Sequence, residues 1–487
     1  MLSLKRLERE DREKKQNKKI ELELPYFITI VTLLATSGLG PYTIFQKIKD
    51  IHLLPAVRAE SVKLLNRIDL LGIDPLTALS QAKDNKSSSG LGEFLNGYVS
   101  SIQSGGNVIN YLKSKMNSVF EKFVNAEKQS VEKISALVHA YLTMQIVILA
   151  VFILIASIGS NPISGSTDSN SGSNSPYYLL ILSPIISAVF MKLAQNMNYS
   201  HVKELEIKKI LRFAIPSILI ALILVFTNIL SSLNGNAYLV GVALIIASIW
   251  PTLKFKKIYA LNLDAEKATP QILRDITEAR KAGIGPEKCI THACKRKDFK
   301  LFNSIANSIS SKLEWGIPLA NIFSTLQQEI KNFQVLISFR ILFEVISSGG
   351  GNVNTLDSLA DTSEKIYNAE KAKQDALKPF VIIGFMLIGI TGFTTLLVID
   401  SFAEINQQKL NVTKNGKQNL EPNSLMELFS ISLLIQSWLA GLFIGKITTG
   451  SYSGGFQYSI FLIIITIIDV VLVQSHIIDI NSMFKTS

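Results

Sequence analysis

The chain has 487 residues, of which 48% are hydrophobic and only 18% charged, with a mean hydropathy of +0.30. That balance excludes an ordinary soluble protein of this size. The formal net charge is +11, and the two cysteines, Cys289 and Cys294, sit close together in a lysine-rich stretch, so a disulfide framework is excluded and reduced cytoplasmic thiols are the simpler reading.

The first 24 residues are dominated by charge and contain no apolar h-region, so no cleavable signal peptide is expected there. Residues 1–136 read as a first cytoplasmic helical bundle. Apolar residues at helical spacing in PYFITIVTLLATSG stop at Gly38, which suits a helix C-terminus, and Pro41 suits the first turn of the next helix. Asp74 before Pro75 predicts an N-cap and first helical position, and Asn85 to Gly90 reads as a loop. Gly105, Gly106 and Asn107 read as a bundle turn. No proline or glycine then interrupts Asn107 to Ala156, which predicts one helix of roughly 75 Å that continues into lipid.

Apolar runs long enough to cross a bilayer number seven. Residues 137–253 carry four, near Leu137 to Ile158, Tyr177 to Ala194, Phe213 to Leu233 and Tyr238 to Leu253. Residues 254–378 form a second polar bundle. Residues 379–487 carry the last three spans, near Phe380 to Phe402, Leu425 to Gly445 and Phe456 to Ile478, with a kink or break expected at Pro379. The predicted fold is therefore all-α and polytopic. With the N-terminus inside, 45 of the 49 Lys and Arg fall on the cytoplasmic side, leaving only Lys409, Lys414, Lys417 and Lys485 outside. Both bundles are then cytoplasmic and the C-terminus is outside. An Asn-Val-Thr sequon at Asn411 lies in an external loop, where glycosylation would fit.

The two polar stretches are copies of one another. Pro25, Gly38, Gly40 and Pro41 recur as Pro270, Gly283, Gly285 and Pro286. Gly72-Ile-Asp-Pro-Leu resembles Gly316-Ile-Pro-Leu, and Gly105-Gly-Asn-Val returns as Gly350, Gly351 and Asn352 followed by Val. Asn125-Ala-Glu-Lys returns as Asn368-Ala-Glu-Lys, and all offsets lie between 243 and 245 residues. Each copy precedes a membrane segment, so the duplicated unit is a cytoplasmic bundle with its exit helix.

The order Glu23-Leu-Pro-Tyr-Phe, Thr36-Ser-Gly-Leu-Gly-Pro, Gly72-Ile-Asp-Pro-Leu, Phe94-Leu-Asn-Gly-Tyr and Ser104-Gly-Gly-Asn-Val, repeated in weaker form, resembles the type II secretion F-domain family. That family includes bacterial GspF, PilC and TadC proteins, and the long two-domain form resembles its archaeal branch, typified by FlaJ, also called ArlJ. The resemblance implies a cell-membrane platform of a type IV pilus-like machine, coupling a cytoplasmic hexameric ATPase to insertion of pilin-like subunits. No span is found before the first bundle, whereas archaellum members tend to have some, so an archaellum, an adhesive pilus and a DNA-exchange pilus all stay open.

Residues for catalysis are not found. The string Gly441-Leu-Phe-Ile-Gly-Lys-Ile-Thr has the wrong spacing for a phosphate-binding loop. Cys289, His292 and Cys294 lack a fourth ligand and zinc spacing. No enzyme activity, cofactor, metal or nucleic-acid partner is therefore expected. Residues Lys254 to Lys312 hold 13 cations against 6 anions, which makes Arg280, Lys281, Lys288, Lys295, Arg296 and Lys297 a candidate docking patch for an acidic ATPase surface. A basic face against anionic lipid headgroups is the competing reading. Asp469 lies in the middle of the last span, where it should face protein and hydrogen-bond a neighbouring helix. Gly441-x3-Gly445 fits close packing on another helix, including across a homodimer axis. A secondary transporter is the alternative, although its repeats belong in the spans. A membrane scaffold is the third reading.

Overall fold

The computed structural model describes residues 2–84, 90–160, 175–197, 236–296, 298–412 and 422–474. Among these residues all regular structure is helical. The chain divides into two compact units, each drawn from two separate stretches. Unit 1 comprises Met1–Lys128 and Tyr259–Lys371, and unit 2 comprises Gln129–Ile258 and Ala372–Ser487.

In unit 1 the first sequence copy supplies α1 (Leu2–Thr36), α2 (Pro41–Lys49), α3 (Pro55–Leu71), α4 (Pro75–Asp84), α5 (Gly90–Gln103) and the start of α6 (Val108–Ser160). The second copy supplies the end of α8 (Asn236–Lys281), α9 (Pro286–Cys294), a 3-10 turn, α10 (Asn303–Glu314), α11 (Leu319–Glu329), α12 (Phe333–Ser347) and the start of α13 (Val353–Val412). Helix boundaries follow the predicted punctuation. Asp74 accepts from the backbone N–H groups of Leu76 and Thr77 at 3.0 and 3.3 Å, capping α4. After α1, Gly38 adopts φ +88°, and the Leu39 N–H reaches back to the Leu34 carbonyl. Gly283 repeats this at φ +85°, with Ile284 N–H bonded to the Ala279 carbonyl. Such left-handed ends suit glycine because a Cβ would be strained there.

The two copies share one hydrophobic core. Helix α12 is buried on every side, from Phe333 to Ile346, whereas α5 buries only the stripe of Leu91, Phe94, Leu95, Tyr98 and Val99. A helix that is apolar all round needs neighbours on every face, and the first copy provides some of them: Tyr26 meets the Phe333 ring edge-on at 5.2 Å between centroids. Two charges enter this core from α12. Glu344 is paired with Arg340 on its own helix at 3.0 Å and with Lys47 of α2 at 3.0 Å, an ion pair that joins the copies.

Helix α3 has Leu54 at its N-cap, a side chain that cannot accept a hydrogen bond. The acceptor comes instead from α1: the Glu23 carboxylate takes the N–H groups of Ala56 at 3.1 Å and Val57 at 2.8 Å. Sequence patterning does not reveal this cap, because donor and acceptor are more than 30 residues apart.

Unit 2 holds the apolar segments. Among the described residues five helices are long and apolar enough to cross a membrane, in α6, α8, α13, α14 (Pro422–Thr449) and α15 (Tyr452–Gln474). These carry the expected spans near Leu137 to Ile158, Tyr238 to Leu253, Phe380 to Phe402, Leu425 to Gly445 and, up to Gln474, Phe456 to Ile478. Tyr177 to Ala194 falls in α7 (Ser175–Met197), whose apolar run among side-chain-described residues is Leu182–Gln195. Phe213 to Leu233 lies outside the described residues. Of the kink or break expected at Pro379, the break is not found: α13 runs on through it, since a proline removes one backbone hydrogen bond and flanking turns keep theirs. Gly441 and Gly445 lie directly against the backbone of Ser459 and Gly455 in α15, so this spacing is used within the chain.

Glu23→Ala should destabilise unit 1 by about 1–2 kcal/mol through loss of the α3 cap. Burial holds the Glu23 carboxyl above its ordinary value despite the two backbone donors and Lys19. A raised folded value means that the Glu23 contribution is full below the unfolded carboxylate range and falls as pH rises through the folded value. The Glu23→Ala penalty, measured by urea unfolding of detergent-solubilised protein, should therefore be larger at about pH 4 than at about pH 8.

Candidate functional site

The repeated Gly-Gly-Asn elements are turn machinery at matching points of the two copies. After α5, Gly105 takes φ +65° and the Gly106 N–H bonds to the Ser101 carbonyl at 3.1 Å. After α12 the left-handed residue is Gly349, φ +80°, and Gly350 N–H bonds to the Val345 carbonyl at 2.9 Å. Backbone conformation therefore pairs Gly105 with Gly349 and Gly106 with Gly350, leaving Gly351 as an extra residue. Asn107 and Asn352 then cap the exit helices. Asn107 accepts from Asn110 N–H at 3.0 Å to start α6, and Asn352 accepts from Thr355 N–H at 2.8 Å to start α13.

Arg280 sits between two of these turns. Its Nε donates to the Gly351 carbonyl at 2.7 Å and its Nη1 to the Ile284 carbonyl at 2.9 Å, so a residue selected for its charge fastens backbone. Lys281 pairs with Glu278 at 2.9 Å, and Lys295 with Glu314 at 2.5 Å. Arg296 grips both Asp275 oxygens, at 2.7 and 2.8 Å, and also Asp298. Lys288 is exposed and has no carboxylate partner among the described residues. Lys297 lies outside the described residues. Among its described members, the sequence patch thus holds three cations in local ion pairs, Arg280 on backbone carbonyls, and Lys288. Partners such as Asp275 and Glu314 lie on other elements, so counting charges along the chain does not find them.

The two thiols are core groups. Cys289 and Ile290 occupy in α9 the places of Ile44 and Phe45 in α2, and burial pushes the Cys294 thiol up to about 12. His292 is exposed, whereas both cysteines are buried. Among the described residues no cluster of three His, Cys, Asp or Glu side chains is arranged to hold a metal.

Within unit 2 the sequence selects Asp469, but the larger polar construction lies elsewhere. Asp469 is buried, and its Oδ2 faces Gly392 of α13 with no hydrogen-bond partner among the described residues. Gln145 of α6 accepts from Gln436 Nε2 of α14 at 2.6 Å and donates to Ser187 Oγ of α7 at 3.3 Å. Tyr141 also meets Ser187 at 3.3 Å. Trp438 donates to Ser248 at 3.1 Å, tying α14 to α8. Lys446, also buried, ends α14 with its Nζ donating to the Gly450 carbonyl at 2.9 Å and lies over the Tyr452 ring at 4.9 Å. The signal in the sequence is the presence of Gln145, Gln436 and Lys446 in or beside apolar runs, where polar groups are retained only with partners. Asn411 lies in α13, and nothing is described of its side chain.

A family model described as type II secretion system (T2SS), protein F, matches the chain twice, over residues 27–156 and 272–399, together just over half of it. No curated protein and no solved structure matches. The two matched segments begin in α1 and α8 and run through the bundle into α6 and α13, so each includes its exit helix.

Arg280→Ala should cost about 1–3 kcal/mol in the unfolding of unit 1, because two backbone carbonyls lose a charged donor, whereas Lys288→Glu should leave unfolding unchanged. Parallel urea titrations of both variants check this separation of a structural cation from a free one.

Proposed function

The chain belongs to the type II secretion system protein F family, and from that premise we propose that it is the inner platform of an archaeal type IV pilus-like machine, coupling a cytoplasmic hexameric ATPase to insertion of pilin-like subunits. Proteins of this family are membrane platforms of type II secretion and type IV pilus machines, and they work with a secretion ATPase and pilin-like subunits. The observation that carries the reading is the double family match, each copy continuing through an unbroken helix, α6 or α13, into an apolar span. In this reading the bundles would take up work from the ATPase and pass it along the continuous helices α6 and α13, about 1.5 Å of rise per residue. The positive-inside distribution supports bundles in the cytoplasm.

For the ATPase contact we propose the exposed face of α9 around Lys288, a patch cation without a carboxylate partner among the described residues. A single open cation contributes to encounter and register more than to raw affinity.

The test is co-purification of the full-length protein in detergent with the assembly-type ATPase of the same cell, with turnover recorded with and without the platform. Specific binding with altered turnover is expected. Failure to bind in several detergents and salt concentrations overturns the platform reading. If the native protein binds, Lys288→Glu should weaken association several-fold at low salt and less at high salt; an unchanged affinity would remove only the α9 contact.

A further inference from the structure

Helices α6, α7, α13 and α14 of unit 2 enclose the sides of a cavity of about 50 Å³. Its lining is unusual for a membrane-spanning region. Gln145, Ser183, Thr391, Ser432 and Gln436 all border it and are all buried, with Thr395 half-buried beside them. Ser183 is 6% exposed, and its Oγ has no hydrogen-bond partner among the described residues. Thr391 donates to the Ile388 carbonyl at 3.1 Å and Thr395 to the Thr391 carbonyl at 2.6 Å, so α13 satisfies its own hydroxyl protons and turns oxygen lone pairs outward as acceptors. Gln436 and Gln145 are held in place by their mutual hydrogen bond and by Ser187.

We infer that this cavity is a hydration site that binds a small cluster of water molecules, with Ser183 Oγ as one of its anchors. Water fits on three grounds. A cavity of this size has room for about three molecules, which need two to four polar partners each. The walls supply hydroxyl and amide groups from four helices. Lipid chains supply no hydrogen bonds, so an orphan hydroxyl in a span is satisfied by protein or by water.

The position of the site gives the water a mechanical meaning. At the 243-residue offset set by Asn125-Ala-Glu-Lys and Asn368-Ala-Glu-Lys, Ile148 of α6 is the counterpart of Thr391 of α13, and both line the cavity. The site therefore lies between equivalent levels of the two exit helices. Water-bridged contacts re-form after a shift with different partners, whereas interdigitated side chains must first be separated. The joint lets the exit helices of the two copies move against each other; this consequence rests on the platform reading, and the hydration itself does not.

Two measurements on the full-length chain test the site. In a nanodisc map that resolves water elsewhere in the protein, density for water is expected within hydrogen-bonding distance of Ser183 Oγ. A dry cavity, or one filled by an acyl chain or another protein side chain, overturns the inference. The second measurement is the thermal unfolding midpoint of Ser183→Val, read beside Ser183→Thr. A wet site predicts a lower midpoint for Val, which strands the water, and a midpoint near the native one for Thr, which keeps the hydroxyl. A dry site predicts the reverse for Val, since the orphan hydroxyl is removed and the void partly filled, and a raised midpoint would sink the proposal.

Discussion

The constraint on which unit 1 depends is that α12 has no polar face. From Phe333 to Ile346 its side chains are buried in every direction, so the helix is stable only where other helices surround it. The second copy alone cannot supply that enclosure with amphipathic helices such as α9 and α10, each of which buries a single stripe. The first copy contributes α1 and α2, through Tyr26 against Phe333 and through Lys47 against Glu344. Duplication produced two similar sequences, and burial of α12 made them unequal partners in one core.

Charge serves the same end. Glu344 is buried and pairs with Arg340 and with the partly exposed Lys47, and removing its partners would leave a desolvated carboxylate without compensation. The net worth of the network is small beside that penalty, and the Lys47–Glu344 pair ties α2 of the first copy to α12 of the second. Glu23 acts similarly on α3, whose first N–H groups would otherwise lack an acceptor. Both are long-range uses of residue types that are ordinarily on the surface.

What the sequence discloses and what it hides divide along the same line. Turns set by one residue are legible: Gly38, Gly72, Gly283 and Gly316 all take positive φ where helices end, and Asp74 caps α4 as its place before Pro75 suggests. Five of the expected spans are legible because hydrophobic length needs no partner. The repeat is legible in order and nearly in register, with one error of a single residue, because Gly349 rather than Gly350 carries the left-handed turn. Properties fixed by contact are not legible. The contacts of Arg280, Arg296 and Lys295 with Gly351, Asp275 and Glu314 do not show in a count of charges along the chain. Asp469 attracts notice as the charged residue of its span, yet the connected polar construction is built from neutral Gln145, Gln436 and Ser187.

That preference for neutral groups has a physical reason. A carboxylate in hydrocarbon carries a solvation cost of several kcal/mol, which one hydrogen bond does not offset. A glutamine brings donor and acceptor at much lower cost, and two of them satisfy one another while still offering atoms to a third helix. Interhelical hydrogen bonds of this kind are modest in strength, which suits helices that must hold position without being locked. The protein thus uses two different kinds of joint. Unit 1 is fastened by a dense aromatic and aliphatic core with buried ion pairs, which has one low-energy arrangement. Unit 2 joins α6, α7 and α14 through an apolar core that includes Tyr141, Ala194 and Phe443 and adds neutral polar contacts to it. On the proposed platform reading, a bundle that receives work would need the rigidity of the unit 1 core, while neutral polar contacts between spans cost less to rearrange than a buried charge.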